Sequence, residues 1–478
     1  MGEITFTPMQ LTDGQLQITQ ATSLDAIYRT LRPYPLSTPE QLDAFYRPEI
    51  NATRGGDRMK RLELGLKRAA RDGVLFKASL MGHSGVGKST ELSRLQDNIK
   101  DKFRVIRFSA YNDLDPGSFR PLDVVLVMMM EVAEQTADLV GIPSDARLRD
   151  IQTWFAAEST LREEKFNLTG SVEAGAGVEQ DSLWNQILGL FARLKGEVKY
   201  ASTRSKKIEA YRLSRIKDLI DVANKLLDEC NQLLQQAYGQ RWLFIGEDFD
   251  KAGIAEDRIK DLFITYGNLF QDLRTNLIFN VPISLFYSSE GTRLTFANPF
   301  LLLDTPVYQR DHTPNLAGRD AVKEVLRVRM DLALVEDDAL QRLIVASGGN
   351  LRDLFTLVNY AADTAILRDD TVINAADADA AILNLRSDYE RRLGMSPFDL
   401  EAITYAEKAN LLVRIYNNEH DAQMTDPALY SLLRARAVQE FNGQRWFGIH
   451  PLVVDILAKQ ERLQKLQIEG SGGVPGGT

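Results

Sequence analysis

The chain has 478 residues, of which 44% are apolar and 26% charged, proportions that are ordinary for a globular protein of several domains. The formal net charge of −9 gives no support to nucleic-acid binding through bulk charge. The single cysteine, Cys230, excludes an intramolecular disulfide and a cysteine-based zinc site, and its Leu-rich surroundings predict a buried, small apolar residue. No signal peptide opens the chain, and the longest apolar run, residues 124–130, is too short to span a bilayer. We therefore expect a cytoplasmic protein.

The first 70 residues combine short alternating segments with helix signals. Residues 4–7 and 16–19 alternate like short strands, and a helix is predicted over residues 59–71. Arg54 and Arg58 precede that helix in a glycine-containing turn. They are either neighbours of a bound base or solvated charges.

A glycine-rich loop follows the first core strand, which is predicted over residues 74–81. The loop has the pattern G-x-x-x-x-G-K-S, in which glycines let backbone N–H groups close around phosphates. Lys88 supplies a charge for the β- and γ-phosphates, and Ser89 supplies a hydroxyl for Mg²⁺. A helix predicted over residues 89–99 completes the strand–loop–helix context, so the sequence predicts a nucleoside triphosphate site. Its predicted binding residues are Gly82, His83, Ser84, Gly85, Val86, Gly87, Lys88, Ser89 and Thr90.

A second strand, residues 103–109, precedes a long and mainly helical stretch. Helices are predicted over residues 116–140 and 144–165, and a hairpin or flap over residues 166–178. Residues 182–239 read as a helical insertion with one apolar seam, formed by Ile216, Leu219, Ala223, Leu226, Cys230 and Leu233. The front of the insertion is basic and either meets nucleic acid or an acidic partner, or forms a solvated helix face. Its charged residues are Lys195, Lys199, Arg204, Lys206, Lys207, Arg212, Arg215 and Lys217.

The second chemical motif is an apolar strand that ends in clustered carboxylates, at residues 241–250. Phosphoryl transfer needs one carboxylate near Mg²⁺ and another to orient or deprotonate the attacking water. Alignment with the usual Asp-Asp-x-Asp ending predicts Glu247 at the metal position and Asp248 at the catalytic position, with Asp250 behind them. Lys88, Glu247 and Asp248 are therefore the predicted catalytic residues, and Ser89 and Glu247 the predicted metal ligands.

Further strands are predicted over residues 276–287 and 300–306. Asn280 and Ser284 are the polar positions of the first of these that could sense the γ-phosphate. Arg274 and Arg293, which flank that strand, are either arginine fingers or plain surface charges.

Residues 315–385 have a helical pattern, interrupted by a turn at residues 347–350. Arg352 falls in the first turn of the helix that follows. A cation is unfavourable at a helix N-terminus, so this position predicts an anionic partner such as a phosphate.

The last part of the chain predicts helices followed by a hairpin, which suggests a winged helix. Helices are predicted over residues 397–417 and 427–436, and Asn442 and Gly443 form a strong hairpin-turn signal. A closing helix starts at His450. Residues 469–478 are glycine-rich and are predicted to be disordered.

These motifs and their order resemble the AAA+ and STAND superfamily of P-loop ATPases over roughly residues 45–460. The resemblance implies an α/β P-loop NTPase fold with a parallel sheet of order 5-1-4-3-2, a helical insertion, a helical lid and a C-terminal winged helix. It implies ATP or ADP with Mg²⁺ as ligands. The predicted segments are an N-terminal extension (1–45), an ATPase core (46–310) with its insertion (144–240), a helical lid (311–385), a winged-helix domain (386–465) and a disordered tail (466–478).

The same resemblance implies roles for two residues outside the core motifs. Arg352 lies in a Gly-Gly-x-x-Arg arrangement similar to sensor 2 of the origin-recognition branch. His450 is similar to the histidine of the Met-His-Asp motif, which contacts the β-phosphate of ADP in STAND switch proteins. A buried structural histidine is the alternative for this position.

Three functions are compatible with the sequence. The first is an ATP hydrolase that acts as a nucleotide-controlled switch, forms homo-oligomers and recruits a separate effector or sensor protein, an organisation known from bacterial genome-defence (antiviral) ATPases. The second is a DNA-binding loader that uses Arg434, Arg436 and Arg445 of the winged helix, which the acidic total disfavours. The third is a static scaffold, supported only by Glu247 in place of the usual Asp.

Overall fold

The computed structural model describes residues 18–159, 180–251, 253–294, 296, 299–394, 402–441 and 446–463. The chain divides into two compact units. We call the one formed by Gly56–Leu303 and Arg392–Ile449 the sheet unit. The other, formed by Met1–Gly55, Asp304–Arg391 and His450–Thr478, is the helical unit.

The described elements are as follows. The helices are α1 (Leu24–Thr30), α2 (Pro39–Phe45), α3 (Ile50–Thr53), α4 (Arg58–Asp72), α5 (Lys88–Ile99), α6 (Pro121–Leu139), α7 (Asp145–Ser159), α8 (Gln180–Lys199), α9 (Lys206–Ser214), α10 (Ile216–Tyr238), α11 (Glu256–Lys260), α12 (Gly267–Asp272), α13 (Ile283–Phe286), α14 (Leu316–Arg327), α15 (Asp337–Ala346), α16 (Leu351–Ile366), α17 (Ala375–Leu393), α18 (Tyr405–Tyr416), α19 (Pro427–Arg434) and α20 (Pro451–Lys459). The strands are β1 (Lys77–Gly82), β2 (Phe103–Ser109), β3 (Arg241–Glu247), β4 (Asn276–Pro282), β5 (Phe300–Leu301), β6 (Val438–Phe441) and β7 (Trp446–Ile449). Short 3-10 turns lie at Ala201–Thr203, Gly291–Arg293, Leu332–Leu334 and His420–Gln423, and a π-helical turn at Asp261–Thr265.

A parallel sheet forms the centre of the sheet unit. Within the described ranges it has five strands in the order β2-β3-β4-β1-β5, and every pairing is parallel. This is the predicted order 5-1-4-3-2, so the predicted P-loop fold class is confirmed. In such a sheet the carboxyl ends of β1, β3 and β4 meet at one edge, which brings the two chemical motifs together.

The sheet is buried on both faces, which explains the nearly continuous apolar character of its strands. One face carries Leu80, Leu243 and Ile278, which pack against buried residues of α4 and α5. The next side chain along β4, Phe279, points to the opposite face and makes edge-to-face contacts with a cluster of aromatic rings. Both faces of the sheet are therefore covered, and the motifs meet at its carboxyl edge.

The described part of the insertion between β2 and β3 is mainly helical, as predicted. Leu219, Ala223, Leu226 and Cys230 of the predicted seam are fully buried. The seam ends differently, because Leu234 is buried in place of Leu233. Residues 219, 223, 226, 230 and 234 keep the three-and-four spacing that places side chains on one face of a helix.

Two predicted strands end earlier than expected. The strand expected over residues 276–287 ends at Pro282, and the chain turns directly into α13. Pro282 has no N–H group to continue the ladder, and its fixed φ suits the start of a helix. The strand expected over residues 300–306 is limited to Phe300–Leu301.

The C-terminal pattern is confirmed where it is described: α18 and α19 precede an antiparallel pair, β6 and β7. The helix predicted to end at residue 436 ends at Arg434, and α20 is the last described helix. The predicted flap at 166–178, the strand at 4–7, the turn at Asn442 and Gly443, and the tail lie outside the described residues. Among the described helices, none combines the length and the apolar character that a membrane crossing requires.

Cys230 gives a direct test of the packing of α10. Its thiol is fully buried, and burial raises its pKa to about 12. Because the thiolate is the reactive form, we expect the native protein to resist a thiol reagent such as DTNB at pH 8 and to react fully in urea. A matched variant, Gln232→Cys on an exposed position of α10, should react at once in the native protein. Rapid native modification of Cys230 itself would contradict this packing.

Candidate nucleotide-binding site

The predicted phosphate loop connects the end of β1 to the start of α5. A Cβ on Gly82 would collide with the backbone carbonyl oxygen of Leu302, so only glycine fits at this strand end. Gly87 has φ +103°, a conformation that glycine adopts without steric cost, and it caps the N-terminus of α5. The loop thus presents backbone N–H groups and the positive end of a helix to the same space, which is the geometry of an anion site.

Lys88 is buried at the base of this loop. Its ammonium group donates hydrogen bonds to the carbonyl oxygens of Gly82 and His83, both at 2.8 Å. The third donor is directed at Asp250 Oδ2, 2.7 Å away. The side chains of both ionic partners are less than a tenth exposed, so this ion pair is shielded from solvent.

Asp250 also connects the loop to the neighbouring strand. Its Oδ1 accepts a hydrogen bond of 3.2 Å from the amide nitrogen of Asn280 on β4. The amide oxygen of Asn280 is buried and has no hydrogen-bond partner among the described residues. Asp250, which the sequence placed behind the motif, is therefore the carboxylate that the structure brings to Lys88.

The two carboxylates predicted as catalytic, Glu247 and Asp248, have partners other than Lys88. Asp248 has a left-handed backbone (φ +68°) and accepts a 2.6 Å hydrogen bond from the hydroxyl of Ser109. It also forms a 3.1 Å ion pair with Lys251. Glu247 ends β3 and pairs with Arg107 of β2.

Arg107 is a residue of this site that the sequence gave no reason to select. Its Nε donates to Glu247 at 2.5 Å, its Nη1 to the hydroxyl of Ser93 at 2.8 Å, and its Nη2 to the carbonyl of Ser89 at 3.3 Å. The guanidinium thus joins β2, β3 and the first turns of α5. Alternation along β2 predicted a strand, but only the parallel pairing of β2 with β3 places Arg107 beside Glu247.

The donor set at this edge suits Mg²⁺. Ser89 offers a hydroxyl, and Glu247, Asp248 and Asp250 offer carboxylates, all of them hard oxygen ligands. Over the described ranges, no cluster of three or more His, Cys, Asp and Glu side chains forms a dedicated metal cage. Mg²⁺ usually keeps several waters and binds through one or two protein groups plus phosphate oxygens, so the residues present fit this ion.

The second predicted sensor position, Ser284, lies on α13, and the candidate arginine finger Arg274 forms an exposed ion pair. Arg274 pairs with Asp228 at 3.1 Å. Of the polar positions predicted on this strand, Asn280 is the one that contacts Asp250, the partner of Lys88.

Two arginines of the predicted winged helix contact other segments of the sheet unit, to which they belong. Arg434 forms a 3.2 Å ion pair with Glu256 and donates to the carbonyl of Ile254 at 3.0 Å. Arg436 donates to the carbonyl of Ser84 in the phosphate loop at 3.3 Å. Arg445 lies outside the described residues. Two of the three arginines on which the DNA-loader hypothesis depends therefore make contacts within the protein.

Arg352 and His450 both belong to the helical unit, with the turn at residues 347–350. Asn350 caps α16 by accepting hydrogen bonds from the backbone N–H groups of Arg352 and Asp353. His450 is fully buried and stacks on Tyr389 with ring centroids 4.2 Å apart. It caps α20, as a structural histidine would. The contacts of Arg352 and His450 with a nucleotide stay predictions.

Two of the eight residues in the basic run of the insertion are paired inside the fold. Arg212 is fully buried and forms ion pairs with Glu158 and Glu197 at 2.7 and 2.9 Å. Arg204 pairs at 2.7 Å with Asp123, which is also fully buried. These arginines are therefore directed into the unit, where they neutralise buried carboxylates, and do not form a surface for nucleic acid.

Comparison with known proteins gives structural matches only. No protein-family model and no curated protein matches the chain. The ORC1 protein of Aeropyrum pernix, solved in complex with DNA, is similar at 11% identity over 82% of each chain, with a TM-score of 0.35. The RuvB Holliday junction branch migration motor of Thermotoga maritima matches at 12% identity over 90% of this chain and 99% of that chain (TM-score 0.34).

A Walker-type ATPase of Pyrococcus abyssi is similar at 13% identity, over 90% of this chain and 99% of that chain, with a TM-score of 0.38.

The buried Lys88–Asp250 pair predicts a thermodynamic coupling in protein freed of nucleotide. Loss of either partner leaves the other charge buried and poorly compensated, so Lys88→Met and Asp250→Asn should each lower the Tm, by about 5 °C or more. The double variant should lose less than the sum of the two single losses, because it removes both charges. Differential scanning fluorimetry of the four proteins measures this coupling. Strictly additive losses would show that the pair is not formed in solution.

Proposed function

We propose that this protein binds ATP with Mg²⁺ in the loop of residues 82–90, hydrolyses it, and uses the nucleotide state to control assembly or the recruitment of a partner. The contact of Lys88 with Asp250 carries the proposal, because it joins the phosphate loop to the carboxylate motif of β3. The Lys of this loop pattern contacts β- and γ-phosphates. A carboxylate 2.7 Å from its ammonium therefore lies where the γ-phosphate reacts.

Hydrolysis requires a water to be oriented and deprotonated as it attacks the γ-phosphorus. In the proposed reaction Asp250 accepts the proton of this water, and the buried amide oxygen of Asn280 accepts its other hydrogen. The bond between the γ-phosphorus and the β–γ bridging oxygen breaks, which leaves ADP and inorganic phosphate. Backbone N–H groups of the loop and Lys88 stabilise the charge on the phosphate oxygens.

Ser89 would hold Mg²⁺ together with Glu247, as the sequence predicts. The ion would neutralise charge on the β- and γ-phosphate oxygens. Arg107 competes for Glu247, because its guanidinium occupies the same carboxylate and also donates to the carbonyl of Ser89. In this proposal, Glu247 exchanges its partner between Arg107 and the hydration shell of the ion.

A path of direct contacts supports the switch. Asn280, which contacts Asp250, lies on β4, and β4 continues into α13. Helix α13 packs against α19 of the predicted winged helix. A nucleotide shifts a conformational equilibrium only through contacts that differ between states, and this path supplies contacts that a γ-phosphate would alter. The homo-oligomer, the separate effector or sensor protein, and a role in bacterial genome defence belong to the proposal and rest on the resemblance.

The proposed role of Asp250 predicts that substitutions of Asp250 and Asp248 affect ATP turnover to different extents. We expect Asp250→Asn to lower ATP turnover by about 100-fold or more, because the group that accepts the proton is lost. Asp248→Asn, which removes a carboxylate directed at Ser109 and Lys251, should have a smaller effect. Phosphate release, with Lys88→Ala as the inactive control, measures both. The reverse ranking would favour the assignment that follows from the sequence motif alone.

The switch predicts that particle size depends on the nucleotide. Mass photometry with no nucleotide, ADP, ATP and a non-hydrolysable ATP analogue should show defined oligomers only in the ATP-like states. Lys88→Ala should stay small under all four conditions, because the loop loses its phosphate contact. If size never responds to nucleotide while ATP is still hydrolysed, nucleotide-controlled self-assembly is refuted.

A further inference from the structure

Helix α4 of the sheet unit has a strongly basic exposed side. Of its seven exposed positions, five carry Lys or Arg, and the other two are Leu64 and Asp72. Six of these positions recur at spacings of three and four residues, which places their side chains on one side of the helix. We call these six residues the basic face: Lys60, Arg61, Leu64, Lys67, Arg68 and Arg71.

The basic face combines available charge with apolar surface. Arg61 and Arg68 are exposed and form no ion pair with any of the described residues. Leu64 is 47% exposed, and Val74 and Leu75, just after the helix, are 55% and 46% exposed. Exposed apolar side chains beside cations favour a protein partner, because the phosphate backbone of a nucleic acid would leave them without an apolar contact.

The helical unit carries a surface of opposite charge. The backbone N–H of Glu336 donates to the carbonyl of Ile373 at 2.9 Å, and the N–H of Ile373 donates to the carbonyl of Leu334 at 2.9 Å. The segment that leads into α15 therefore lies beside the segment that follows α16. Together they expose four carboxylates and two apolar side chains, which we call the acidic corner: Glu336, Asp337, Leu367, Asp369, Asp370 and Val372.

The acidic corner also combines available charge with apolar surface. Glu336, Asp337 and Asp369 form no ion pair with any of the described residues. Leu367 is 85% exposed, the highest value for a large apolar side chain in the described part of the chain. A side chain of this kind, beside carboxylates that have no cation, indicates a contact surface for a basic and partly apolar partner.

We propose that the basic face of one copy of this chain binds the acidic corner of a second copy. The inference rests on the nucleotide-controlled assembly of the proposed function, and it names the two surfaces that meet. Charge complementarity favours a second copy, because α4 has six basic and two acidic residues, whereas the helical unit has eight more acidic than basic residues. Both surfaces also offer apolar side chains that the contact would bury.

The contact joins two different surfaces and is therefore heterologous. Two basic faces repel each other, which disfavours a symmetric dimer through α4. A heterologous contact leaves one basic face and one acidic corner open at the two ends of each assembly. Further copies then add until a ring closes or a filament forms.

Helix α4 is also linked to the phosphate loop. Its buried residues belong to the same core cluster as Leu92 and Leu95 of α5, the helix that begins at Lys88. Asp57, which caps α4, forms a 3.4 Å ion pair with Arg94 of α5. A shift of α5 on binding nucleotide would therefore displace the basic face, which couples the contact to the nucleotide state.

Reversal and exchange of charge test this contact. The basic-face variant carries Arg61→Glu and Arg68→Glu, and the acidic-corner variant carries Glu336→Lys and Asp337→Lys. Sedimentation velocity with the non-hydrolysable ATP analogue gives the concentration at which half of the protein is assembled. We expect either variant alone to raise this concentration by about 10-fold or more, because like charges then meet. A single chain with all four substitutions should recover assembly, because opposite charges meet again.

The matched control carries Arg149→Glu and Lys217→Glu, which change the net charge by the same amount at exposed positions of α7 and α10. This control should assemble like the wild type. An equal loss of assembly in the control, or no recovery in the chain with exchanged charges, would overturn the inference. If the basic-face variant does not fold, the neutral variant with Arg61→Gln and Arg68→Gln replaces it, with a smaller expected loss.

Two further outcomes are decisive. If the basic-face variant assembles like the wild type but no longer binds a DNA duplex at low salt, the basic face is a nucleic-acid surface and the inference is refuted. If the wild type assembles with the ATP analogue and both reversed variants assemble equally well, only the proposed contact is refuted. A wild type that stays monomeric in every nucleotide state refutes the assembly of the proposed function, and the contact with it.

Discussion

The structure of the site depends on how one buried charge, the ammonium group of Lys88, is compensated. Lys88 is almost fully buried, and a buried charge is tolerated only where hydrogen bonds and an opposite charge replace its hydration. Two loop carbonyls and Asp250 meet that need. The consequence is that the loop after β1 and the turn after β3 cannot be placed independently. Of the three hydrogen bonds, the one to Asp250 joins the two segments, and the two to loop carbonyls hold the lysine in place.

Asp250 extends this constraint to a third strand, because Asn280 on β4 donates to its other oxygen. Beyond Asn280 the chain passes Pro282 and enters α13, whose partner α19 leads to Arg436 and back to Ser84. The contacts thus form a closed circuit within the sheet unit, from the loop through β3, β4 and α13 to α19 and the loop again. In such a circuit a change at the phosphate loop reaches α19 by two routes, through β3, β4 and α13 and through the contact of Arg436 with Ser84. Two such routes favour two discrete arrangements over gradual deformation.

The sequence predicted those features that depend on local patterns. The glycine loop, the apolar strands and the sheet order could be derived because each follows from a motif or from a resemblance that spans most of the chain. The partners of charged groups could not be derived from the sequence, since ion pairing depends on which strands become neighbours in the sheet. Arg107 is one residue of an alternating strand until β2 pairs with β3 and places it on Glu247. Alignment by spacing selected Asp248, but the left-handed turn at that residue directs Asp250 to Lys88.

Arginine use in the sheet unit follows one physical rule. The chain is acidic overall, yet Arg107, Arg204, Arg212 and Arg434 each neutralise a carboxylate that is largely removed from solvent. A guanidinium suits this task because it stays charged and donates in several directions. The number of basic residues in the sequence is therefore larger than the number that could contact a nucleic acid at the surface. Arg436 likewise donates within the unit, to the carbonyl oxygen of Ser84 in the phosphate loop.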